Sequence, residues 1–214
     1  MILYDYPKAP NPMRVRIFIY EKQVDIKSVF INLGNNEHLS RKNLKLNPWG
    51  TLPFLKINNK IINESIAICK YLEVMFPTPN LLGKSALEQG IIEMYRRKAE
   101  IDGLNSVGEA FRNSVKAFKE RAIPGPEKIK QIPELEKRGK KRTHLFFDFL
   151  DKHLYKKNYI AANRFTIADI DAYVTYSFAK WIKIDGVRNR KNIKNWIRKI
   201  EARKSVKTYS NLIS

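Results

Sequence analysis

The chain has 214 residues, 43% hydrophobic and 29% charged, with one cysteine and a formal net charge of +20. That balance excludes a disordered chain, and the lack of any run of 18 apolar residues excludes a helical membrane span. The lone Cys69 excludes an internal disulfide framework and, with charges and prolines by residue 14 in place of a signal core, points to a reducing cytoplasmic setting.

Taken in order, residues 2–6 (Ile-Leu-Tyr-Asp-Tyr) predict a short strand, and Pro7, Pro10 and Pro12 force a loop. Pro12 suits a first helical turn, where its missing N–H costs nothing. From Met13 to Tyr20, Val15, Ile17, Phe18 and Ile19 predict a mostly buried helix, with Arg14 and Arg16 outward. Asp25–Asn32 alternates as a second strand, and Ser40–Leu46 reads as a short helix. Thr51–Ile57 and Lys60–Asn63 are strands joined by Asn58-Asn59, a tight-turn pair. Glu64–Phe76 predicts a buried helix, with Cys69 as core filler. Pro77-Thr78-Pro79 ends this β-α-β-α-β-β-α unit.

Beyond residue 86 only helices are expected. Glu88 to about Lys119 predicts one long helix, in which Gly103 and Gly108 suggest close packing or a bend. Residues 121–136, with Pro124, Pro126 and Pro133, read as loop or broken helix. Helices follow at Arg138–Leu154, from Thr166 to Ile182, and at about Asn192–Arg203. Thr166-Ile167-Ala168-Asp169 is a capping-box start for the second of these.

The excess positive charge raises nucleic acid as a partner. It is spread along the chain, +5 over residues 1–78 (11 basic, 6 acidic) and +15 over residues 79–214 (30 basic, 15 acidic). Neither the 137–142 cluster nor the 188–199 cluster carries an RNA-binding strand motif or a zinc-ligand spacing. Solvated basic faces are the simpler reading.

The densest chemistry lies in Asn47-Pro48-Trp49-Gly50-Thr51-Leu52-Pro53-Phe54-Leu55 and the following Glu64-Ser65. Proline cannot donate to a sheet ladder, so Pro53 belongs at an edge, a bulge or a cis turn. A cis Leu52–Pro53 bond would present the N–H and C=O of Leu52 to an extended peptide. The helix opening at Glu64-Ser65 has free N–H groups suited to a carboxylate. Plain N-capping explains that pair equally well, and a turn role explains Asn11 between two prolines.

These stretches resemble cytosolic glutathione S-transferases over essentially the full length. The matching pieces are Tyr4–Arg16, Gly34–His38, Asn47–Leu55, Glu64–Ile68, Phe165–Asp169 and Trp196–Val206, in the family's order and spacing. The resemblance implies an α/β thioredoxin-like N-terminal domain (1–78), a linker (79–86) and an all-α C-terminal domain (87–214). It implies a glutathione site in the first domain and a variable second-substrate pocket between the two. Leu52 and cis-Pro53 match the clamp on the cysteinyl part of glutathione; Glu64 and Ser65 match the pair holding the γ-glutamyl end. His38 matches a histidine meeting the glycyl carboxylate, Thr51 a polar neighbour, and Asn11 an asparagine near the thiol. Ala9 stands where a hydroxyl residue is usual, so Asn11 is the candidate catalytic residue.

The implied activity is a glutathione transferase conjugating the thiolate to a small electrophile, as in detoxification. Glutathione is the co-substrate, with no metal. A homodimer is expected, and neither nucleic acid nor membrane is an expected partner. A disulfide or peroxide reductase on the same fold, and a non-catalytic module binding RNA or a protein, are the alternatives.

Overall fold

A computed structural model describes residues 1–213. By contacts the chain divides into two units. The first holds Met1–Pro79, Ile123–Lys128 and the segment from Lys204 on; the second holds Asn80–Ala122 and Ile129–Arg203.

The first unit has a four-stranded sheet of β1 (Ile2–Asp5), β2 (Lys27–Phe30), β3 (Phe54–Ile57) and β4 (Lys60–Ile62), in the order β2-β1-β3-β4. β2 runs parallel to β1, and β3 and β4 are antiparallel to their neighbours. Helices α1 (Pro10–Lys22), α2 (Arg41–Leu46) and α3 (Ser65–Met75) alternate with the strands, giving the expected thioredoxin-like order. Strands shorter than expected reflect the register, which starts β3 only where Phe54 faces Tyr4. Those two rings stack with centroids 4.5 Å apart.

α1 has no polar face. Arg14 and Arg16, expected outward, are 2% and 8% exposed. Every residue from Pro12 to Ile19 is buried, so no solvent side remains for them. Arg16 instead binds Asp5 through two bonds of 2.6 and 2.9 Å, pinning α1 to the end of β1. Lys22 adds a 2.6 Å pair with Glu73, joining α1 to α3. A final helix, α9 (Lys204–Ile213), was not expected from the sequence and belongs to this unit, packed on α1.

The second unit contains α4 (Ala86–Lys98), α5 (Asn105–Ser114), α6 (Pro133–His153), α7 (Ile167–Ala179) and α8 (Lys191–Glu201). The long helix foreseen from residue 88 is α4 and α5 joined by a π-helical turn, Ala99–Leu104; it ends at Ser114 rather than near Lys119. A Cβ on Gly103 would lie 2.8 Å from Thr175 Cγ2 and 2.9 Å from Phe146 Cε1, so glycine allows this close approach. Gly108 faces no such constraint, its nearest neighbour being 3.9 Å away. Arg96, 3% exposed, bonds Glu93 and Glu100 and reaches Asp171 on α7 at 3.5 Å. It thereby ties the start of the π turn to α7.

Asp169 organises the far end. Its carboxylate accepts from the N–H groups of Thr166 and Ile160 and from Trp196 Nε1, each at 3.0 Å. The expected capping box is therefore also a knot that holds α8 through Trp196. Among the described residues no helix is long and apolar enough to cross a membrane, and no group of three or more His, Cys, Asp or Glu could hold a metal ion.

Complete removal from water pushes the Asp169 carboxyl up to about 6, against the donors that favour its ionised form. A folded value above the unfolded one means that this group's contribution to stability grows as pH falls from 7 and fades as pH rises through about 6. The stability difference between wild type and Asp169→Asn should widen by about 1 kcal/mol from pH 7 to pH 5. Paired denaturant titrations at the two pH values measure it; an unchanged difference contradicts the assignment.

Candidate functional site

The sheet register brings Asn11, Thr51, Leu52 and Pro53 to one end of the sheet. Because Tyr4 pairs with Phe54, the chain entering β3 lies beside the end of β1. From that end the chain leaves through Pro7 to open α1 at Pro10. Asn11 and Leu52 are therefore placed at the same end of the sheet, beside its two central strands. Arg14 in α1 donates to Ser65 Oγ at 2.7 Å, which brings the start of α3 to this end as well.

The Leu52–Pro53 peptide is cis, as expected. Leu52 lies outside the β1–β3 ladder, and among the described residues neither its N–H nor its C=O finds a partner in the chain. The loop before it is held by Asn47, 2% exposed, whose Nδ2 donates to the Thr51 carbonyl at 2.8 Å and whose Oδ1 accepts from the Trp49 N–H at 3.1 Å. That bracing presents Leu52 as a fixed peptide group. Thr51 and Leu52 are half-buried.

Plain capping does not describe Glu64. Its side chain is exposed and makes no capping bond. Its backbone sits at φ 66°, ψ 122°, outside the compact left-handed basin. A non-glycine residue held there costs on the order of 1–3 kcal/mol, and such strain clusters at ligand sites. The first intrahelical bond of α3 runs from the Ile68 N–H to the Glu64 carbonyl. The N–H groups of Ser65, Ile66 and Ala67 are therefore unspent among the described residues, and they share a helix end that attracts an anion.

At α1 the same accounting leaves one amide. Pro10 and Pro12 have no N–H, and Met13 donates to the Ala9 carbonyl at 2.9 Å. Only the Asn11 amide is left without a partner there, and its exposed side chain makes no bond within the described residues. His38 sits in a 3₁₀ turn, Glu37–Leu39, and is 8% exposed. Asn43 Nδ2 donates to the Glu37 carbonyl at 2.6 Å, and Glu37 Oε2 accepts from the Asn32 N–H at 2.7 Å, so that turn is braced on both sides.

Three further residues shape the site without having been given a role in it from the sequence. They are Arg14, Asn47 and Tyr209, whose hydroxyl donates to the Pro7 carbonyl at 2.9 Å and so ties α9 to the loop before Asn11. Only Arg14 left a legible signal, because a helix with apolar residues on every side cannot expose an arginine.

Comparison with known proteins matches both parts of the chain. Residues 1–74 match the family profile described as glutathione S-transferase, N-terminal domain, and residues 113–211 match glutathione S-transferase, C-terminal domain. The chain is 32% identical to glutathione S-transferase 2 of Saccharomyces cerevisiae over 211 residues, covering 97% of this chain and 88% of the relative. The crystal structure of Gtt2 from Saccharomyces cerevisiae superposes with a TM-score of 0.89 at 30% identity, covering 98% of this chain and all of the other. A glutathione S-transferase domain-containing protein of Marinobacter aquaeolei gives 0.88, also at 30%, over 96% of this chain and all of the other.

Releasing the strain at residue 64 gives a direct test. Glu64→Gly should raise the thermal midpoint by about 2–4 °C, the equivalent of roughly 1 kcal/mol after the added freedom of the unfolded chain is subtracted. A lower midpoint in a calorimetric scan means that the Glu64 side chain serves the fold rather than a ligand.

Proposed function

The chain belongs to the glutathione S-transferase family, and from that premise we propose that it transfers the glutathione thiolate to small electrophiles. The observation that carries the reading is the unpaired peptide of Leu52, beside a helix start whose amides are also unspent. An extended tripeptide can pair with Leu52 through its cysteinyl N–H and C=O, as a short added strand. Its γ-glutamyl carboxylate then meets the first turn of α3 at Glu64 and Ser65, and its glycyl carboxylate lies toward His38. Thr51 borders the clamp.

The chemistry required is a thiolate at neutral pH, from a thiol that ordinarily titrates near about 8.5. With Ala9 in place of a hydroxyl, the donors are the main-chain amide and side-chain amide of Asn11. Both lie in the first turn of α1, where the helix dipole also favours negative charge. Held there, the sulfur attacks the electrophilic carbon, forming the S–C bond as the leaving group departs with its electron pair. The thiol proton goes to solvent before attack.

The wider reading follows the same line. Along the chain, residues 1–78 are assigned to the glutathione-binding domain, 79–86 to the linker and 87–214 to the helical domain, although 123–128 and α9 group by contacts with the first unit. The setting is cytoplasmic and the role detoxification by conjugation, with glutathione as co-substrate. A homodimer is supported by α4, where Leu87 and Met94 lie seven residues apart and are 75% and 54% exposed, with Ile101 of the π turn that follows 41% exposed. Such a stripe on a helix is the pattern of a buried contact with a second copy.

Glutathione should stabilise the protein by mass action, about 2.7 kcal/mol at a hundredfold excess over its Kd. No shift of the melting curve in millimolar glutathione sinks the reading. Asn11→Ala should lower kcat for an aromatic halide about tenfold, with a smaller effect on the KM for glutathione. An unchanged kcat removes Asn11 from thiolate stabilisation. Met94→Lys should turn a dimer into a monomer in sedimentation experiments; a monomeric wild type refutes the dimer.

A further inference from the structure

Two buried arginines lie two residues apart on α1. Arg16 meets the carboxylate of Asp5. Arg14, 2% exposed, reaches the neutral hydroxyl of Ser65, itself 4% exposed, at 2.7 Å. We propose that Arg14 is a positioning residue for glutathione: it orients and polarises the Ser65 hydroxyl, so that this O–H donates to the γ-glutamyl carboxylate.

A serine hydroxyl has one donor and two acceptor sites. The guanidinium occupies an acceptor site of Ser65 Oγ, which leaves the single O–H to point away from Arg14. The direction left to it is the notch where the N–H groups of Ser65, Ile66 and Ala67 are unspent. A charged donor also strengthens the next bond in the chain, because each hydrogen bond polarises its neighbour. Ser65 is then committed to donation before any ligand arrives, and a carboxylate meets a preset donor rather than a hydroxyl that must first be turned. The placement of Arg14 is rigid, since α1 is fixed by Arg16–Asp5 and by Lys22–Glu73. This inference rests on the reading of Ser65 as a γ-glutamyl contact.

The test is a double-mutant cycle read by calorimetric titration with glutathione. Ser65→Ala should weaken binding about tenfold, and Arg14→Met by a similar factor. In the Ser65→Ala background, Arg14→Met should change the Kd by less than about twofold, because the two act as one unit. Arg14→Lys, which keeps a charged donor, should recover most of the affinity. The analogue 4-aminobutyryl-cysteinylglycine, which lacks the carboxylate, should bind wild type and Arg14→Met alike. If Arg14→Met does not fold, Arg14→Gln takes its place in the same cycle, with the same expected coupling. An unchanged Kd in Ser65→Ala overturns the reading of Ser65 itself. A weakened Ser65→Ala with additive or absent effects of the Arg14 variants overturns the positioning role alone. A loss of the same factor for the analogue also overturns that role and marks Arg14 as structural.

Discussion

Main-chain polar groups that leave water must find partners, and the first unit leaves a cluster of them open where β1 ends and β3 begins. There the N–H and C=O of Leu52, the amide of Asn11 and three amides at the start of α3 have no partner among the described residues. They meet because Tyr4 pairs with Phe54 and because Arg14 bonds Ser65. A ligand with an extended backbone and an anionic end matches this unspent capacity group for group.

Keeping such a cluster open needs reinforcement, and the surrounding side chains supply it. Asn47 braces the turn before Leu52 from within. Glu64 is held in a conformation that a β-carbon disfavours, while its side chain stays exposed. Tyr209 comes from the last helix to hold the loop ahead of Asn11. Asn47 and Tyr209 fix backbone, Tyr209 while also packing in the core. Such bracing is expected where the main chain itself recognises the ligand.

Much of this was legible in the sequence because it rests on local signals. Proline inside a strand-like run marked Leu52, Asn58-Asn59 marked the hairpin, and Thr166 with Asp169 marked the start of α7. What escaped depended on partners distant in sequence. Arg14 and Arg16 read as a solvent face because helical spacing says nothing about Asp5 or Ser65, 11 and 51 residues away. The π turn contains Gly103, which the sequence marked as close packing or a bend, but its neighbours Thr175 and Phe146 lie far along the chain. α9 is short and polar enough to read as a tail, and becomes a helix through its packing on α1.

The most direct measurement is a crystal structure of the protein soaked with glutathione. The account predicts two hydrogen bonds of about 2.9 Å between the Leu52 main chain and the cysteinyl residue. It also predicts the γ-glutamyl carboxylate against Ser65 and the sulfur within reach of Asn11. A peptide bound elsewhere, or one whose cysteine does not pair with Leu52, contradicts it.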